Sequence, residues 1–184
     1  RIPQNRGMME AYGTIVFDLD GTLVRLNVDW DAVASDVAAT LQQRGVEPPD
    51  SLWGMLETAD ERGHRAAVEE VISDHERDGA TTSTRLPAAD TVPEESVGVC
   101  SLNCEAACRI ALSTHGLDRI ETVVGRDSVS TEKPDPEPLL EAIDRLESDP
   151  TETVFVGDTD RDATTAERAG VDYFDVSAWL RAYK

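Results

Sequence analysis

Lysine is scarce in this sequence: only Lys133 and Lys184 are present, beside fifteen arginines and 37 acidic residues. The formal net charge is -20. Because a surface this acidic repels nucleic acid and anionic lipid, we expect neither a nucleic-acid nor a membrane partner. Dense carboxylates are tolerable where salt screens them, and this preference for arginine and acids is typical of proteins from salt-loving microbes. The composition therefore indicates a halophilic archaeon as the source.

Long hydrophobic runs are missing as well. No stretch approaches the ~20 apolar residues that a membrane-spanning helix needs, and no basic-then-apolar signal segment opens the chain. We therefore expect a cytoplasmic protein. Residues 1–7 precede Met8 and Met9, and we interpret them as a leader outside the fold, either disordered or left over from cloning.

Cysteine is limited to three residues, Cys100, Cys104 and Cys108. An odd, low count argues against a disulfide framework. A metal site is the alternative, because Cys104 and Cys108 would share a helix face. Cys100, however, falls in a strand-like run, and His115 lies well down the helix. We therefore expect three small buried residues.

Aromatic residues make up only 5% of the chain, so its core must rest on alanine, valine, leucine and isoleucine. Apolar runs that read as buried strands alternate with helical patterns. The strands are predicted at 14–18, 97–101, 122–125, 153–157 and 173–176, and the helices at 105–115, 137–146 and 163–169. This βαβ succession predicts an α/β fold with a doubly wound, Rossmann-like parallel sheet.

One segment interrupts the succession. Between residues 24 and 90 there is no strand-like run, and amphipathic patterns predict helices at 31–44, 52–62 and 66–78. We interpret residues 24–90 as a small all-helical cap inserted after the first strand. The α/β catalytic core then comprises residues 8–23 and 91–184.

The strongest local motif is DLDGT at residues 18–22, directly after an apolar strand. Ligands of doubly wound sheets bind beyond the carboxyl ends of the strands, which is where Asp18 and Asp20 would lie. Alternation along an extended segment points both side chains the same way. Two carboxylates are thus predicted to act on one substrate, although an acidic turn in an acid-rich chain is the alternative.

A second acidic loop, GDTDRD at residues 157–162, follows the strand predicted at 153–157. Carboxylates from two strand ends provide the hard oxygen ligands that Mg²⁺ prefers. A calcium loop of the EF-hand type fails, because Ala163 stands where glycine is required and Ala169 where the bidentate glutamate belongs. A merely solvated acidic loop stays as the other alternative.

Groups suited to a phosphate follow two further strands. Ser101 ends the strand predicted at 97–101 and offers a hydroxyl, and Asn103 leads into a helix N-terminus, which favours anions. Lys133, in the loop before the helix predicted at 137–146, would offset the repulsion among the carboxylates and contact a phosphoryl group.

Taken in order, these motifs resemble those of the haloacid dehalogenase superfamily: DLDGT at 18–22, Ser101, Lys133-Pro134, and Gly157-Asp158 with Asp162. The helical insertion, together with GRD at 125–127, resembles the phosphoglycolate phosphatase-like branch of that superfamily. The resemblance implies that Asp18 is the nucleophile and a Mg²⁺ ligand. It also implies that Asp20 is the general acid and base, and that its backbone carbonyl binds the metal.

The resemblance assigns the other residues as well. Ser101 and Lys133 would bind the substrate phosphate; Asn103 is a further candidate for this role, from its position before the helix N-terminus and not from the resemblance. Asp158 would be a Mg²⁺ ligand, and Asp162 would support the site from behind the ligands. The implied function is Mg²⁺-dependent hydrolysis of a small phosphorylated metabolite through an aspartyl-phosphate intermediate.

Other activities of the superfamily are partly excluded. Asp20 argues against a true dehalogenase, whose leaving group needs no proton, and the absence of lysine from residues 24–90 argues against a phosphonatase. A phosphoglucomutase-like phosphotransferase stays open, as does an idle binding protein that retains the fold. Residues 86–93 leave room for only a shortened helix before Ser101, which is a departure from this branch. The candidates for substrate contact within the cap are Arg25, Arg62, His64 and Arg65.

Overall fold

A computed structural model describes residues 11–183, and these contain a sheet core and a helical insertion. The strands are β1 (Thr14–Phe17), β2 (Val24–Arg25), β3 (Thr84–Arg85), β4 (Val97–Cys100), β5 (Thr122–Val124), β6 (Thr153–Gly157) and β7 (Asp172–Asp175). The α-helices are α1 (Trp30–Gln42), α2 (Leu52–Glu61), α3 (Arg65–Thr81), α4 (Glu105–Thr114), α5 (Glu137–Arg145), α6 (Asp160–Ala169) and α7 (Val176–Tyr183). Short 3₁₀ helices lie at Pro87–Thr91 and Pro150–Glu152. The leader predicted at residues 1–7 lies outside the described residues, as do residues 8–10 of the predicted core.

The main sheet confirms the predicted fold class. Its five strands are parallel in the order β5-β4-β1-β6-β7, with β1 between β4 and β6. Alternate residues of β1 enter separate cores on the two faces of the sheet: Ile15 and Phe17 pack on one face, and Val16 packs on the other. Helices α4 and α7 cover the first face, while α5 and α6 cover the second. A strand buried on both faces needs an unbroken apolar run, which is the signal that predicted it.

The three cysteines are free and buried, as the sequence predicted. Cys104 and Cys108 pack in the core beneath α4, and Cys100 packs on the opposite face of the sheet. Burial raises the pKa of the Cys100 thiol to about 12. Within the described residues, one group of side chains is arranged so that it could hold a metal ion. It consists of aspartates and contains no cysteine.

The six predicted helices are present as α1 to α6, with limits that differ by up to three residues. Helix α6 begins at Asp160 instead of residue 163, because the Thr159 side chain accepts from the Asp162 N–H and completes a capping box. Helix α7 was not predicted, and residue 176, expected to end a strand, is its first residue. Trp179 of α7 is fully buried, and its indole N–H donates to Thr91 Oγ1 at 2.8 Å.

The insertion between β1 and β4 is helical, with its own apolar cluster of α1, α2 and α3 side chains. The expectation that residues 24–90 contain no strand was wrong, because β2 and β3 pair antiparallel where the chain leaves and rejoins the core. Each has two residues, too few to produce a visible alternation in the sequence. The 3₁₀ helix at Pro87–Thr91 is the shortened segment expected before Ser101.

Within residues 11–183, no helix is both long and apolar enough to cross a membrane.

A buried ionic network joins this insertion to the core. Arg126, in the loop after β5, donates through Nη1 to Glu76 Oε1 at 2.6 Å and to the Leu102 carbonyl at 2.7 Å. Its Nε donates to Glu69 Oε2 at 2.8 Å. The other Glu76 oxygen accepts from the Cys104 N–H at 2.8 Å. Because Glu76 is 0% exposed, its charge depends on these partners.

Replacing Arg126 by Ala is expected to lower the free energy of unfolding by about 3–5 kcal/mol, because it leaves the Glu76 carboxylate buried without its cation. Denaturant unfolding followed by circular dichroism measures the loss. The matched control is Arg145→Ala, which removes a half-exposed pair with Glu141 and should cost less than about 1 kcal/mol. The double variant R126L/E76L should recover much of the loss. Equal losses for the two single variants would contradict this account.

Candidate active site

The carboxylates of two sequence motifs meet at the carboxyl edge of the sheet. Strands β1 and β6 are neighbours, so Asp18 at the end of β1 lies beside the loop that carries Asp158 and Asp162. One carboxylate oxygen from each of these three residues lies within 4.8 Å of the other two. Asp18 and Asp162 are buried, whereas Asp158 is exposed at the opening of the cluster. Three hard oxygens at this separation fit a small divalent cation.

Two glycines permit this close approach. Gly21 adopts a φ of +89°, and a Cβ there would lie 2.2 Å from Asp158 Oδ2. A Cβ at Gly157 would lie 2.5 Å from Asp162 Oδ2. Any larger residue at either position would push an acidic side chain out of the cluster. The glycines of both motifs are therefore steric requirements of the site.

Lys133 lies beneath the carboxylates and is 3% exposed. Its Nζ donates to Asp18 Oδ1 at 2.9 Å, to Asp162 Oδ1 at 2.5 Å and to the Cys100 carbonyl at 3.2 Å. Burial alone would lower the lysine pKa, but the charges of Asp18 and Asp162 outweigh it and raise that pKa. Lys133 is therefore a fixed cation, as expected of a group that compensates charge at the site.

The two carboxylates of the first motif differ in their surroundings. Burial raises the pKa of Asp18 to about 7, with Lys133 opposing the rise and Asp162 adding to it. Asp20 is less buried, and its Oδ1 accepts from the Leu26 N–H at 2.9 Å. Burial also raises the pKa of Asp20, against the Leu26 N–H and Arg25, which lower it. Both residues line one cavity.

Ser101 and Asn103 form a small turn after β4. The Ser101 hydroxyl donates to Asn103 Oδ1 and accepts from the Asn103 N–H, both at 3.1 Å. Asn103 lines the cavity, while Ser101 is not among its lining residues. The N-terminus of α4, which was expected to attract an anion, already binds two carboxylates of the protein. The Cys104 N–H donates to Glu76, and the Glu105 N–H donates to Asp127 Oδ1 at 2.8 Å. Both of these amide donors are therefore satisfied by the protein's own carboxylates.

The cavity above these groups has a volume of about 200 Å³. Its floor is polar and includes Asp18, Asp20, Lys133 and Asp162. Its walls are largely apolar and include Trp30 and Trp53 of the insertion, which sequence reasoning missed. Two tryptophans within an otherwise acidic helical segment were the available signal. Among the described lining residues, none of the four candidates Arg25, Arg62, His64 and Arg65 is present.

Comparison with known proteins is consistent with this geometry. Residues 94–176 match the family model described as haloacid dehalogenase-like hydrolase. A phosphoglycolate phosphatase of Cereibacter sphaeroides is 32% identical, over 86% of this chain and 82% of its own length. The pyrophosphatase PpaX of Bacillus mycoides is 28% identical, over 93% of this chain and 89% of its own. A solved haloacid dehalogenase-like hydrolase from Bacteroides fragilis superposes with a TM-score of 0.63 at 25% identity, covering 89% and 87% of the two chains.

The raised pKa of Asp18 predicts a pH dependence of stability in protein stripped of metal by EDTA. In the unfolded chain Asp18 loses its proton near 3.8, but in the fold it does so near 7. Between these values the folded state binds more protons, so Asp18 lowers the free energy of unfolding as pH rises, and the effect levels off above pH 7. As pH rises between these two values, the free energy of unfolding of Asp18→Asn should increase relative to that of wild type, by up to about 4 kcal/mol.

Urea unfolding of wild type and Asp18→Asn at a series of pH values measures this difference. Asp50→Asn, at an exposed loop position, is the matched control and should keep a constant offset from wild type. A constant offset for Asp18→Asn as well would contradict the burial account.

Proposed function

This chain belongs to the haloacid dehalogenase-like hydrolase family and is a phosphohydrolase, and on that premise we propose that it hydrolyses a small phosphorylated metabolite through an aspartyl phosphate on Asp18, with Mg²⁺ as cofactor. The observation that carries the proposal is the position of Asp18. It lies on the floor of a cavity, hydrogen bonded to a buried lysine and within 4.8 Å of a second acidic loop. The residues proposed as nucleophile, compensating cation and metal ligands thus lie together at one sheet edge.

The donor set supports a site for Mg²⁺. Asp18 and Asp158 would be its carboxylate ligands, and the Asp20 carbonyl would be a third. Asp162 is better suited to support than to ligation, because its Oδ1 accepts from Lys133 and its Oδ2 accepts from the Thr159 hydroxyl at 2.9 Å. When bound, Mg²⁺ would neutralise charge on the phosphoryl group and lower the pKa of Asp18.

The proposed chemistry has two displacements. In the first, one Asp18 oxygen forms a bond to phosphorus while the bond to the leaving oxygen breaks, and Asp20 donates a proton to that oxygen. In the second, water attacks the same phosphorus and Asp20 takes the proton from it, which releases phosphate and Asp18. The raised pKa of Asp20 suits a group that must carry a proton near neutral pH. Lys133 and the Ser101–Asn103 turn would hold the phosphoryl oxygens.

We propose that residues 24–90 act as the cap of a core formed by residues 8–23 and 91–184. The cavity lies between the two, since its floor comes from motif residues and most of its walls from α1, α2 and α3. A cap over the site would exclude bulk water during the first displacement and strengthen the charge interactions within. A halophilic source, on the acidic and arginine-rich composition, and a cytoplasmic location complete the proposal.

The proposal is tested by separating the two motif carboxylates. EDTA should abolish hydrolysis of an aryl phosphate, and Mg²⁺ should restore it. Asp18→Asn should show no turnover and no phosphoenzyme, because the attacking oxygen is gone. Asp20→Asn should lose ~10²–10⁴-fold in kcat with an alkyl phosphate and less with an activated aryl phosphate, whose leaving group needs little protonation.

Steady-state kinetics and mass spectrometry of the acid-quenched peptide containing Asp18 provide the measurements. Asp160→Asn is the matched control, since Asp160 is an exposed acid of the second motif that is neither a lining residue of the cavity nor a member of the acidic cluster, and it should retain turnover. Hydrolysis unchanged by EDTA would remove the metal from the proposal. Turnover by Asp18→Asn, or phosphate found on Ser101, would refute the mechanism.

The net charge of -20 predicts that the fold is more stable in concentrated salt. Self-repulsion among carboxylates weakens as the Debye length falls from ~10 Å at 0.1 M to ~3 Å at 1 M. We expect Tm to rise by about 5 °C or more between about 0.1 and about 2 M KCl, measured by calorimetry. The triple variant E57Q/D60N/E61Q, which neutralises an exposed acidic patch on α2, should show a smaller rise. A Tm that is flat or falls with KCl would remove the halophile proposal.

A further inference from the structure

The walls of the active-site cavity are more apolar than hydrolysis of a charged metabolite requires. Above the polar floor, its walls include six large apolar side chains, five from the insertion and one from the loop after β4: Trp30, Leu52, Trp53, Leu56, Ile72 and Leu102. This wall faces the position that the leaving group of a substrate would occupy, since the phosphoryl group must lie against Asp18 and Lys133. The leaving group would therefore meet hydrocarbon and indole surface.

Two of these side chains are unusually exposed. Trp30 is 43% exposed and Trp53 is 46% exposed, and with Leu140 they are the large hydrophobic residues that the described chain leaves open to solvent. Exposed tryptophan surface is unfavourable in water, and tryptophans grouped at the opening of a cavity usually mark a binding surface. The Arg161 guanidinium lies 4.9 Å from the centre of the Trp53 ring, which holds that indole in place from the core side. The cavity wall is thus apolar, and its Trp53 side chain is held in position by Arg161.

The charges that line the cavity disfavour a second anionic group on the substrate. Among the described lining residues the cationic side chains are Lys133 and Arg126, and Arg161, which stacks on Trp53, is not one of them. Lys133 is held by Asp18 and Asp162. Arg126 is 7% exposed at its side chain and is held by Glu69 and Glu76. A carboxylate or second phosphate on the leaving group would lose its water without gaining an unpaired cation among these lining residues, which is unfavourable.

From these observations we propose that the substrate is a phosphate monoester with an apolar leaving group, aryl or branched alkyl, that carries no second charge. The proposal rests on the proposed function and narrows it. The cavity of about 200 Å³ is larger than the roughly 150 Å³ that holds a benzene molecule in an apolar protein cavity. It can therefore accept a single ring or a short branched chain. Indole and leucine surface would bind the leaving group, and the phosphoryl group would supply the only charge.

The test compares two phosphonates of one skeleton, which bind without being hydrolysed. 3-Phosphonopropionate ends in a carboxylate, and 3-methylbutylphosphonate ends in an isopropyl group of the same shape. Calorimetric titration of the full chain with Mg²⁺ should give a Kd at least about tenfold lower for the isopropyl compound. Equal affinities, or tighter binding of the carboxylate compound, would overturn the proposal.

Two variants test whether the preference for the isopropyl compound arises at the apolar wall. Trp53→Ala should reduce the ratio of the two affinities by about threefold to tenfold, because it removes much of the apolar wall. Leu140→Ala, which trims an exposed apolar residue on α5, is the matched control and should leave the ratio unchanged. A ratio that Trp53→Ala does not alter would show that the preference arises elsewhere, which also overturns the proposal.

Hydrolysis distinguishes failure of this inference from failure of the proposed function. 2-Methylpropyl phosphate, an alkyl ester of similar shape, should exceed 2-phosphoglycolate in kcat/KM by about tenfold or more with Mg²⁺ present. If 2-phosphoglycolate is the better substrate, the apolar leaving group is wrong while the phosphatase stands. If neither ester nor a generic aryl phosphate is hydrolysed, the proposed function itself fails.

Discussion

The ion pairs of Lys133 with Asp18 and Asp162 are the interactions on which the site depends. Burying one ammonium and two carboxylates costs free energy that only close, hydrogen-bonded geometry offsets. The lysine lies in the loop before α5, whereas its partners follow β1 and β6. Three segments that belong to separate parts of the sequence are thereby fixed to one point below the sheet edge. If the lysine were removed, two buried carboxylates would face each other without compensation, so the cluster exists only with its cation.

The parts of this arrangement that could be predicted from the sequence are those in which local chemistry and global fold coincide. A strand buried on both faces must be apolar throughout, so β1 and β6 were visible as runs. Acids placed directly after such runs must lie at one sheet edge, so Asp18 and Asp158 could be paired without coordinates. Gly21 was visible as a motif residue, but its steric reason, the proximity of Asp158 Oδ2, is a tertiary contact.

The parts that could not be predicted depend on long-range contacts. Helix α7 is short, and it is stabilised by Trp179, whose burial needs Thr91 from a distant segment. Strands β2 and β3 have two residues each, so they are defined by their hydrogen-bonded pairing with each other and not by the strand propensity of their residues. The saturation of the α4 N-terminus was also hidden. An isolated helix start favours an anion, but only the packing of α3 shows that the Glu76 carboxylate already occupies it.

The division of labour between core and insertion explains why membership of a phosphatase family leaves the substrate open. In the proposed mechanism the sheet edge supplies carboxylates and a lysine that act on a phosphoryl group whatever it is attached to. The insertion would then supply the surface that the leaving group meets, and this surface can change without disturbing β1 or β6. In this chain the insertion carries many acids, yet the side chains that it presents to the cavity are tryptophan and aliphatic residues. Two of its acids, Glu69 and Glu76, form ion pairs with Arg126, which is the one arginine among the described lining residues. A net charge of -20 further disfavours an approaching anion, so each added negative charge on a substrate must be compensated within the site. On the proposed mechanism Lys133 would help to compensate one phosphoryl group, and the cavity would then favour an uncharged remainder.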